Sequence, residues 1–183
     1  MKYVAIASLS LACALLPATA FATLSEKPGA SVSFTAIGPA GMQIVGTTSE
    51  LRVEEDAQGN ITITVPLGRL TTGIDLRDKH MREKYLEVPK YPNAVLKVQR
   101  SSLTLPAASQ SGTFDTNGSM TLHGTTKPVR VRYTAKHDAG TSYAITSALT
   151  LDMTDYGIEK PGYRGLSVKT SVDLTVSFSA DDK

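Results

Sequence analysis

Apolar and polar residues alternate along most of the chain after residue 22. The longest alternation covers residues 168–178, and a second covers residues 129–136, where valines and a tyrosine on one side oppose arginines on the other. A period of two places alternate side chains on opposite faces, so these segments are predicted to be β-strands with one buried face. Shorter alternations of the same kind occur at residues 31–36, 61–65, 94–99 and 143–151.

Turn-forming residues separate the alternating segments. They cluster at Gly38–Gly41, Gln58–Asn60, Asn117–Gly118 and Asp138–Gly140, and Gly, Asn and Asp favour tight turns. About eight strands joined in this way, with few helices between them, indicate an all-β domain of antiparallel strands, either a sandwich or a closed barrel. A shift in the apolar phase after the first turn predicts a bulge near Gly46.

Two charged segments interrupt the strand pattern. Residues 75–88 are rich in charge and in good helix formers, and they are predicted to form one short helix that Asp75 caps and that ends before Pro89. The acidic residues Glu54–Asp56 are predicted to lie in a solvated turn.

The first 22 residues have the features of a cleavable signal peptide. Lys2 supplies a short positive region, residues 4–16 are apolar, and small residues suit cleavage after Ala20 or Ala22. The apolar run is too short to cross a bilayer, which requires about 20 apolar residues. We therefore expect an exported protein, periplasmic or secreted, whose single domain covers residues 23–183.

Composition narrows the classes of function. Cys13 is the one cysteine of the chain and falls within the signal peptide, so neither thiolate catalysis nor a cysteine zinc site is expected in the mature domain. The formal net charge of +2 gives no basis for nucleic-acid binding, which requires a concentrated basic surface. No later apolar run is long enough for a transmembrane helix, so no stable membrane insertion is expected. Whether the protein forms a homodimer stays open.

Residues suited to catalysis or metal binding are few and scattered. His80, His123 and His137 form no close ligand pair on one element, so no metal site is predicted. The nucleophile-elbow, P-loop and dinucleotide-binding patterns do not occur. Asp152 and Asp155 are the best candidates for an acid/base pair that hydrolyses a lipid or a glycan, which would require both to face one cleft. No catalytic residue is assigned, and the chain is predicted not to be an enzyme.

Four motifs follow one another along the mature chain. They are LTTG with RDKHMR within residues 70–82, KYPN at 90–93, MTLHGTTKPV at 120–129 and DYGI at 155–158. Together they resemble the patterns of the YceI-like family of exported, lipocalin-fold, polyisoprenoid-binding proteins. The resemblance covers nearly the whole mature chain.

The resemblance implies a fold and a ligand class. The fold is an extended antiparallel, lipocalin-like β-barrel of about eight strands with one short helix. Its apolar tunnel would hold the isoprenoid chain of a quinone or polyprenyl lipid, with no cofactor required. Such a chain has few hydrogen-bonding groups, so its affinity must come from burial of apolar surface, at about 25 cal/mol per Å² before association costs.

Three positions depart from the family pattern. Gly29 and Gly38 stand where the family often has histidines, and Met153 stands where it has an arginine. If those polar groups steady the head of the ligand in the family, this protein prefers another head group or binds the tail alone.

Candidate ligand-binding residues follow from the alternation and the motifs. Near the barrel mouth, Arg77, His80, Arg82 and Tyr156 are candidates for contact with a head group. In the alternative interpretation, Arg77 and Asp78 belong to a hydrogen-bond network that holds the short helix against the barrel. The side chains predicted to line the tunnel are Val32, Phe34, Ile44, Ile61, Ile63, Leu96, Val98, Leu122, Val131, Tyr133, Leu149, Val172, Leu174 and Val176.

Two other functions stay open at this point. One is an interaction module that uses the outside of the barrel and has a filled interior. The other is the lipid or glycan hydrolase, which requires acid and base groups that converge in the cavity.

Overall fold

Strands make up most of the structure, a computed structural model that describes residues 23–163 and 165–183. The predicted signal peptide, residues 1–22, lies outside the described residues and stays a prediction. The strands are β1 (Leu24–Glu26), β2 (Ser31–Ile37), β3 (Gln43–Thr48), β4 (Arg52–Glu55), β5 (Asn60–Pro66), β6 (Asn93–Gln99), β7 (Ser111–Leu122), β8 (Thr125–His137), β9 (Ser142–Asp152), β10 (Gly162–Tyr163), β11 (Leu166–Ser167) and β12 (Ser171–Asp182).

Ten of these strands form one antiparallel sheet. Its order is β3-β2-β12-β9-β8-β7-β6-β5-β4, and β1 pairs with the C-terminal end of β12. The sheet curls into a half-barrel, which confirms the predicted all-β, lipocalin-like fold, although with more strands than expected. β10 and β11 form a separate two-stranded hairpin.

Charged side chains join β1 to β4 across the gap between the sheet edges. Glu26 in β1 accepts a hydrogen bond of 2.8 Å from a backbone N–H of β4, and Glu55 in β4 accepts one of 2.8 Å from a backbone N–H of β1. Arg100 links Glu55 to Asp182 through N–O distances of 3.0 and 2.5 Å. The predicted solvated turn at Glu54–Asp56 is therefore wrong for Glu54 and Glu55, which belong to β4, and the Glu55 side chain is only 4% exposed.

The predicted helix is present but short. α1 covers Asp75–His80 and continues as a π-helical turn over Met81–Tyr85. Asp75 is the first helical residue and not the residue that caps it, so the predicted cap is wrong. Before the helix, Thr71 exchanges backbone hydrogen bonds of 2.8 and 3.0 Å with Thr47. These bonds attach the start of the helical segment to the edge strand β3.

The long β7–β8 hairpin turns at His123 and Gly124. Their φ angles are 49° and 73°, in the left-handed region that a two-residue type I′ turn requires. Asn117 and Gly118 instead pair with residues of β8 within the hairpin, so the turn predicted there is wrong. A Cβ at residue 118 would lie 2.6 Å from a backbone carbonyl oxygen of β6. Glycine at this position permits the close approach of β6.

β2 and β3 pair residue for residue, and the bulge predicted near Gly46 is therefore wrong. Gly46 lies opposite Phe34, and a Cβ on it would lie 2.1 Å from the ring atom Cε1 of that phenylalanine. The missing side chain leaves room for the Phe34 ring to lie over the backbone of β3.

The apolar interior divides into two clusters. One packs densely between β1, β4, β5, β6 and β12, and we call this the filled end; its buried residues are Leu24, Ala30, Val53, Ile61, Val98, Phe178 and Ala180. The other consists of Met120, Leu151, Met153, Tyr156 and Ile158. This second cluster borders a cavity, and we call that end the hollow end.

Candidate ligand-binding site

A cavity of about 640 Å³ occupies the hollow end. Side chains from β2, β3, β5, β6, β7, β9 and β12 form its walls. Residues from 67–86, which include α1, and from 158–168, which include the β10–β11 hairpin, also line it. The volume lies within the range of about 300–1,000 Å³ that is typical of small-molecule sites.

The lining of this cavity is almost entirely apolar. Among the described residues that line it, none is an aspartate or a glutamate. The lining residues with polar side chains are Ser33, Thr72, Arg77, His80, Tyr85 and Ser167. A cavity of this kind stabilises a ligand through burial of apolar surface, with orientation left to a few polar groups.

Half of the predicted lining residues lie at the hollow end, where they line the cavity. They are Val32, Phe34, Ile44, Leu122, Val172, Leu174 and Val176. Alternation identified them because each points inward from a strand. Alternation did not identify the apolar residues around α1 and the β10–β11 hairpin, among them Leu70 and Leu166, since these lie outside the long strands.

Most of the remaining predicted residues lie at the filled end, away from the large cavity. Ile61, Ile63, Leu96, Val98, Val131 and Tyr133 surround a void of only about 60 Å³. Leu149 lines neither space and packs against the second core cluster. A ligand in the large cavity would not contact these side chains directly.

Tyr133 shows why the filled end has so little free space. Its hydroxyl accepts a hydrogen bond of 2.7 Å from the backbone N–H of Thr104 and donates one of 3.1 Å to the Thr104 carbonyl. These bonds hold Leu103 and Leu105 among the residues that pack against the first core cluster. Burial raises the pKa of the Tyr133 hydroxyl, so it stays protonated and able to donate at neutral pH.

The four candidate head-group residues fall into two pairs. Arg77 and His80 line the cavity. Arg82 does not; it donates hydrogen bonds of 3.2 and 2.9 Å to the Leu70 carbonyl. Tyr156 is only 2% exposed and belongs to the second core cluster, and its burial raises the pKa of the hydroxyl.

The network predicted as the alternative role of Arg77 and Asp78 is present. Asp78 accepts hydrogen bonds from the hydroxyl of Thr71 at 2.6 Å and from the backbone N–H and the hydroxyl of Thr72. Arg77 donates to the Thr72 hydroxyl at 2.7 Å and to its carbonyl at 2.8 Å. Arg82 adds an ion pair to Asp78 at 3.6 Å. The network therefore holds α1 against Thr71, which is hydrogen-bonded to β3.

Several forces act on the pKa of Asp78. Burial alone would raise it, but the hydrogen bonds from Thr71 and Thr72 and the charge of Arg82 outweigh burial and lower it. The carboxylate is therefore ionised at neutral pH although it is only 4% exposed.

His123 connects the β7–β8 turn to the segment that follows α1. Its Nε2 lies 2.6 Å from the Glu87 carboxylate, and its Nδ1 lies 3.2 Å from the Tyr156 carbonyl. Its ring packs against that of Tyr91, with 4.5 Å between the centroids. These contacts give His123 a structural role beside the β7–β8 turn.

The carboxylates proposed for hydrolysis do not line the cavity. Asp152 accepts hydrogen bonds from Thr154 and Thr170, which lower its pKa. Asp155 is exposed and pairs with Lys127 at 3.3 Å. The structure therefore does not bring the two side chains together at a cleft within the hollow end.

Residues 23–163 and 165–183 are the part of the chain that the structure describes. No group of three or more His, Cys, Asp or Glu side chains in this part of the chain is arranged to hold a metal ion. No helix in it combines the length and the apolar character needed to cross a bilayer.

Matched substitutions distinguish the two ends by their effect on stability. Ile61→Val at the filled end is expected to lower the free energy of unfolding by about 1 kcal/mol, because it leaves a methyl-sized gap in a packed core. Ile44→Val at the hollow end removes the same group from the wall of a cavity, so we expect a loss of about 0.5 kcal/mol or less. Urea denaturation of both variants measures the difference; equal losses would contradict the division into two ends.

A curled antiparallel sheet with an apolar cavity at one end places this protein among the lipocalin-like β folds. The family model of the YceI-like domain matches residues 26–180. The chain therefore belongs to the YceI-like family, as its motifs predicted.

Curated relatives include UPF0312 proteins of Pseudomonas. The protein of Pseudomonas savastanoi pv. phaseolicola is 30% identical over 129 residues, which are 67% of this chain and 62% of that protein. The protein of Pseudomonas putida strain W619 is 32% identical over 107 residues, 55% of this chain and 51% of that protein. The chain thus spans between half and two thirds of the length of these relatives.

Solved structures share the fold at low sequence identity. A polyisoprenoid-binding domain from Saccharophagus degradans, implicated in plant cell wall breakdown, aligns with a TM-score of 0.74 and 16% identity over 89% of this chain and 99% of that one. BcnA of Burkholderia cenocepacia aligns with a TM-score of 0.65 and 16% identity over 82% and 95% of the two chains. The YceI protein of Campylobacter jejuni aligns with a TM-score of 0.53 and 13% identity over 100% and 99%.

Proposed function

We propose that the hollow end binds the isoprenoid tail of a quinone or polyprenyl lipid, and that the protein sequesters or carries this ligand outside the cytoplasm. The observation that carries the proposal is the cavity of about 640 Å³ with an almost wholly apolar lining. A chain of methyl and methylene groups suits such a lining because it requires no hydrogen-bond partners along its length.

In the proposed complex, the affinity comes from burial of the isoprenoid tail in the cavity. Each methylene transferred from water into the cavity contributes about 0.8 kcal/mol before association costs. Met153, which replaces the arginine of the family pattern, lines the cavity with an apolar side chain. The tail therefore meets apolar surface at a position where the family has a charge.

The head group would lie toward Arg77 and His80. Both line the cavity, and both belong to α1, which covers one side of it. The Arg77 guanidinium is held by Thr72 through two hydrogen bonds, which leaves three of its five N–H donors to bind a carbonyl or phosphate oxygen. The tail, not this contact, determines whether binding occurs.

A relative in fold supports the same ligand class. The structure from Saccharophagus degradans with the TM-score of 0.74 is described as a polyisoprenoid-binding domain. The lining of the hollow end also argues for binding without catalysis, since no described residue of it carries a carboxylate. No cofactor is required for such a role.

Thermal unfolding with three probes tests the proposal. The probes are a quinone with an isoprenoid tail of several units, the same quinone head without a tail, and an isoprenoid alcohol with the same tail. At about 100 times Kd, a bound ligand stabilises the native state by about 2.7 kcal/mol, which corresponds to a rise in Tm of about 5–10 °C for a domain of this size.

We expect both tailed probes to raise Tm and the head alone to leave it unchanged. A rise produced by the head alone would contradict a tail-binding cavity. No rise with either tailed probe, added to delipidated protein, would contradict the proposed function altogether.

A further inference from the structure

Three large apolar side chains are exposed at the opening of the cavity. Ile74, Leu76 and Leu166 have 53%, 65% and 61% of their surface exposed, and each also lines the cavity. Because they are both exposed and part of the lining, they lie at its opening. We call these three residues the apolar rim. Soluble proteins rarely group such side chains without a partner for them.

The segments that carry the apolar rim are positively charged. Residues 74–85 and 158–169 contain seven lysines and arginines and four aspartates and glutamates, a net charge of +3, whereas the whole chain carries +2. Lys79, Lys160 and Lys169 are exposed within these segments. The sequence of these two segments therefore carries more positive charge than the chain as a whole, and the remainder of the chain is slightly negative.

We propose that the apolar rim and its lysines dock on a lipid bilayer that contains anionic lipids. This inference rests on the proposed function, because an isoprenoid chain resides in a bilayer and not in water. An opening pressed against the bilayer lets the chain enter the cavity without exposing its methylene groups to water. Exposed leucine and isoleucine side chains enter the interface, and lysines attract the anionic head groups.

The apolar side chains and the lysines are expected to contribute differently to bilayer binding, and only the contribution of the lysines depends on salt. Each apolar side chain moved from water into the interface contributes enough to change binding about tenfold. Each lysine near an anionic surface changes it about fivefold, and this contribution weakens as salt is added. Docking should therefore require both the apolar rim and anionic lipid, and it should be reversible.

Cosedimentation of delipidated protein with vesicles tests the inference. The vesicles contain phosphatidylcholine and phosphatidylglycerol in equal parts, or phosphatidylcholine alone. We expect binding to the anionic vesicles, with a loss of about a hundredfold for the double variant L76S/L166S. The control is Val45→Ser, since Val45 is 42% exposed on β3 and does not line the cavity. That control should bind as the unaltered protein does.

A second variant separates docking from tail binding. Lys79, Lys160 and Lys169 do not line the cavity, so K79Q/K160Q/K169Q should bind anionic vesicles at least tenfold more weakly and bind a tailed quinone in detergent normally. If the unaltered protein binds neither type of vesicle, or if the rim variant and the Val45→Ser control bind equally, the docking inference is wrong. The proposed function would still stand on the thermal unfolding experiment, which contains no bilayer.

Discussion

Leu174→Trp is expected to weaken the binding of a tailed quinone about a hundredfold. Leu174 lies in the middle of the cavity wall contributed by β12, beside Phe34 of β2 and Leu149 of β9. A tryptophan there takes up space that the tail would otherwise fill. If it excludes about four methylenes, the loss is about 3 kcal/mol, or roughly a hundredfold in Kd.

The matched control for this variant is Thr175→Trp. Thr175 is the next residue of β12, and its exposed side chain points away from the cavity. Both variants add the same indole to the same strand, so a general effect on folding should appear in both. Titration by tryptophan fluorescence or calorimetry gives Kd. If Leu174→Trp and Thr175→Trp bind the ligand equally well, the tail does not occupy this cavity.

Asp78→Ala is expected to lower the free energy of unfolding by about 2–3 kcal/mol. The carboxylate is buried and accepts three hydrogen bonds from Thr71 and Thr72 while it pairs with Arg82. Its removal leaves these part-buried donors without their acceptor and the Arg82 guanidinium without its ion pair. Asp75→Ala is the control, because Asp75 is an exposed aspartate in the same helix; it should cost no more than about 1 kcal/mol.

Acid should reduce the difference in the free energy of unfolding between Asp78→Ala and the unaltered protein. The pKa of Asp78 is lowered in the folded state from its ordinary value of 3.8. A carboxylate with a lowered pKa stabilises the folded state above its unfolded pKa and loses that contribution as the pH falls through the folded value. The difference measured by urea denaturation should therefore be constant from pH 7 to about pH 5 and shrink below about pH 4. A difference that persists unchanged in acid would contradict the ionic network.

The sequence predicted the strands well because alternation is a local property. A strand such as β12 exposes one face to water, so its polar and apolar residues must alternate wherever it lies in the sheet. The same rule identified Phe34 and Leu174 as inward-facing. It could not distinguish them from Tyr133, which also faces inward but lies at the filled end. Alternation gives the direction of a side chain and contains no information on the volume around it.

Contacts between distant segments explain the predictions that failed. Glu55 looked solvated within its own acidic segment, yet it accepts a bond from Leu24, 31 residues away, and pairs with Arg100, 45 residues away. Asn117-Gly118 has good turn chemistry, but the pairing of β7 with β8 moves the turn to His123-Gly124. For Glu55 the deciding partners lie far along the chain, whereas for Asn117-Gly118 the register of the whole hairpin decides where the turn falls.

The proposed function depends on the ligand tail lying at the hollow end, and photolabelling measures the location of the tail most directly. The probe is an isoprenoid alcohol whose last unit carries a benzophenone, and the modified peptides are identified by mass spectrometry after irradiation. We predict labels on residues of the hollow end, such as Phe34, Leu122 and Leu174, and competition by the unlabelled alcohol. Labels confined to the outer faces of the strands, or to the filled end around Val131 and Tyr133, would contradict it.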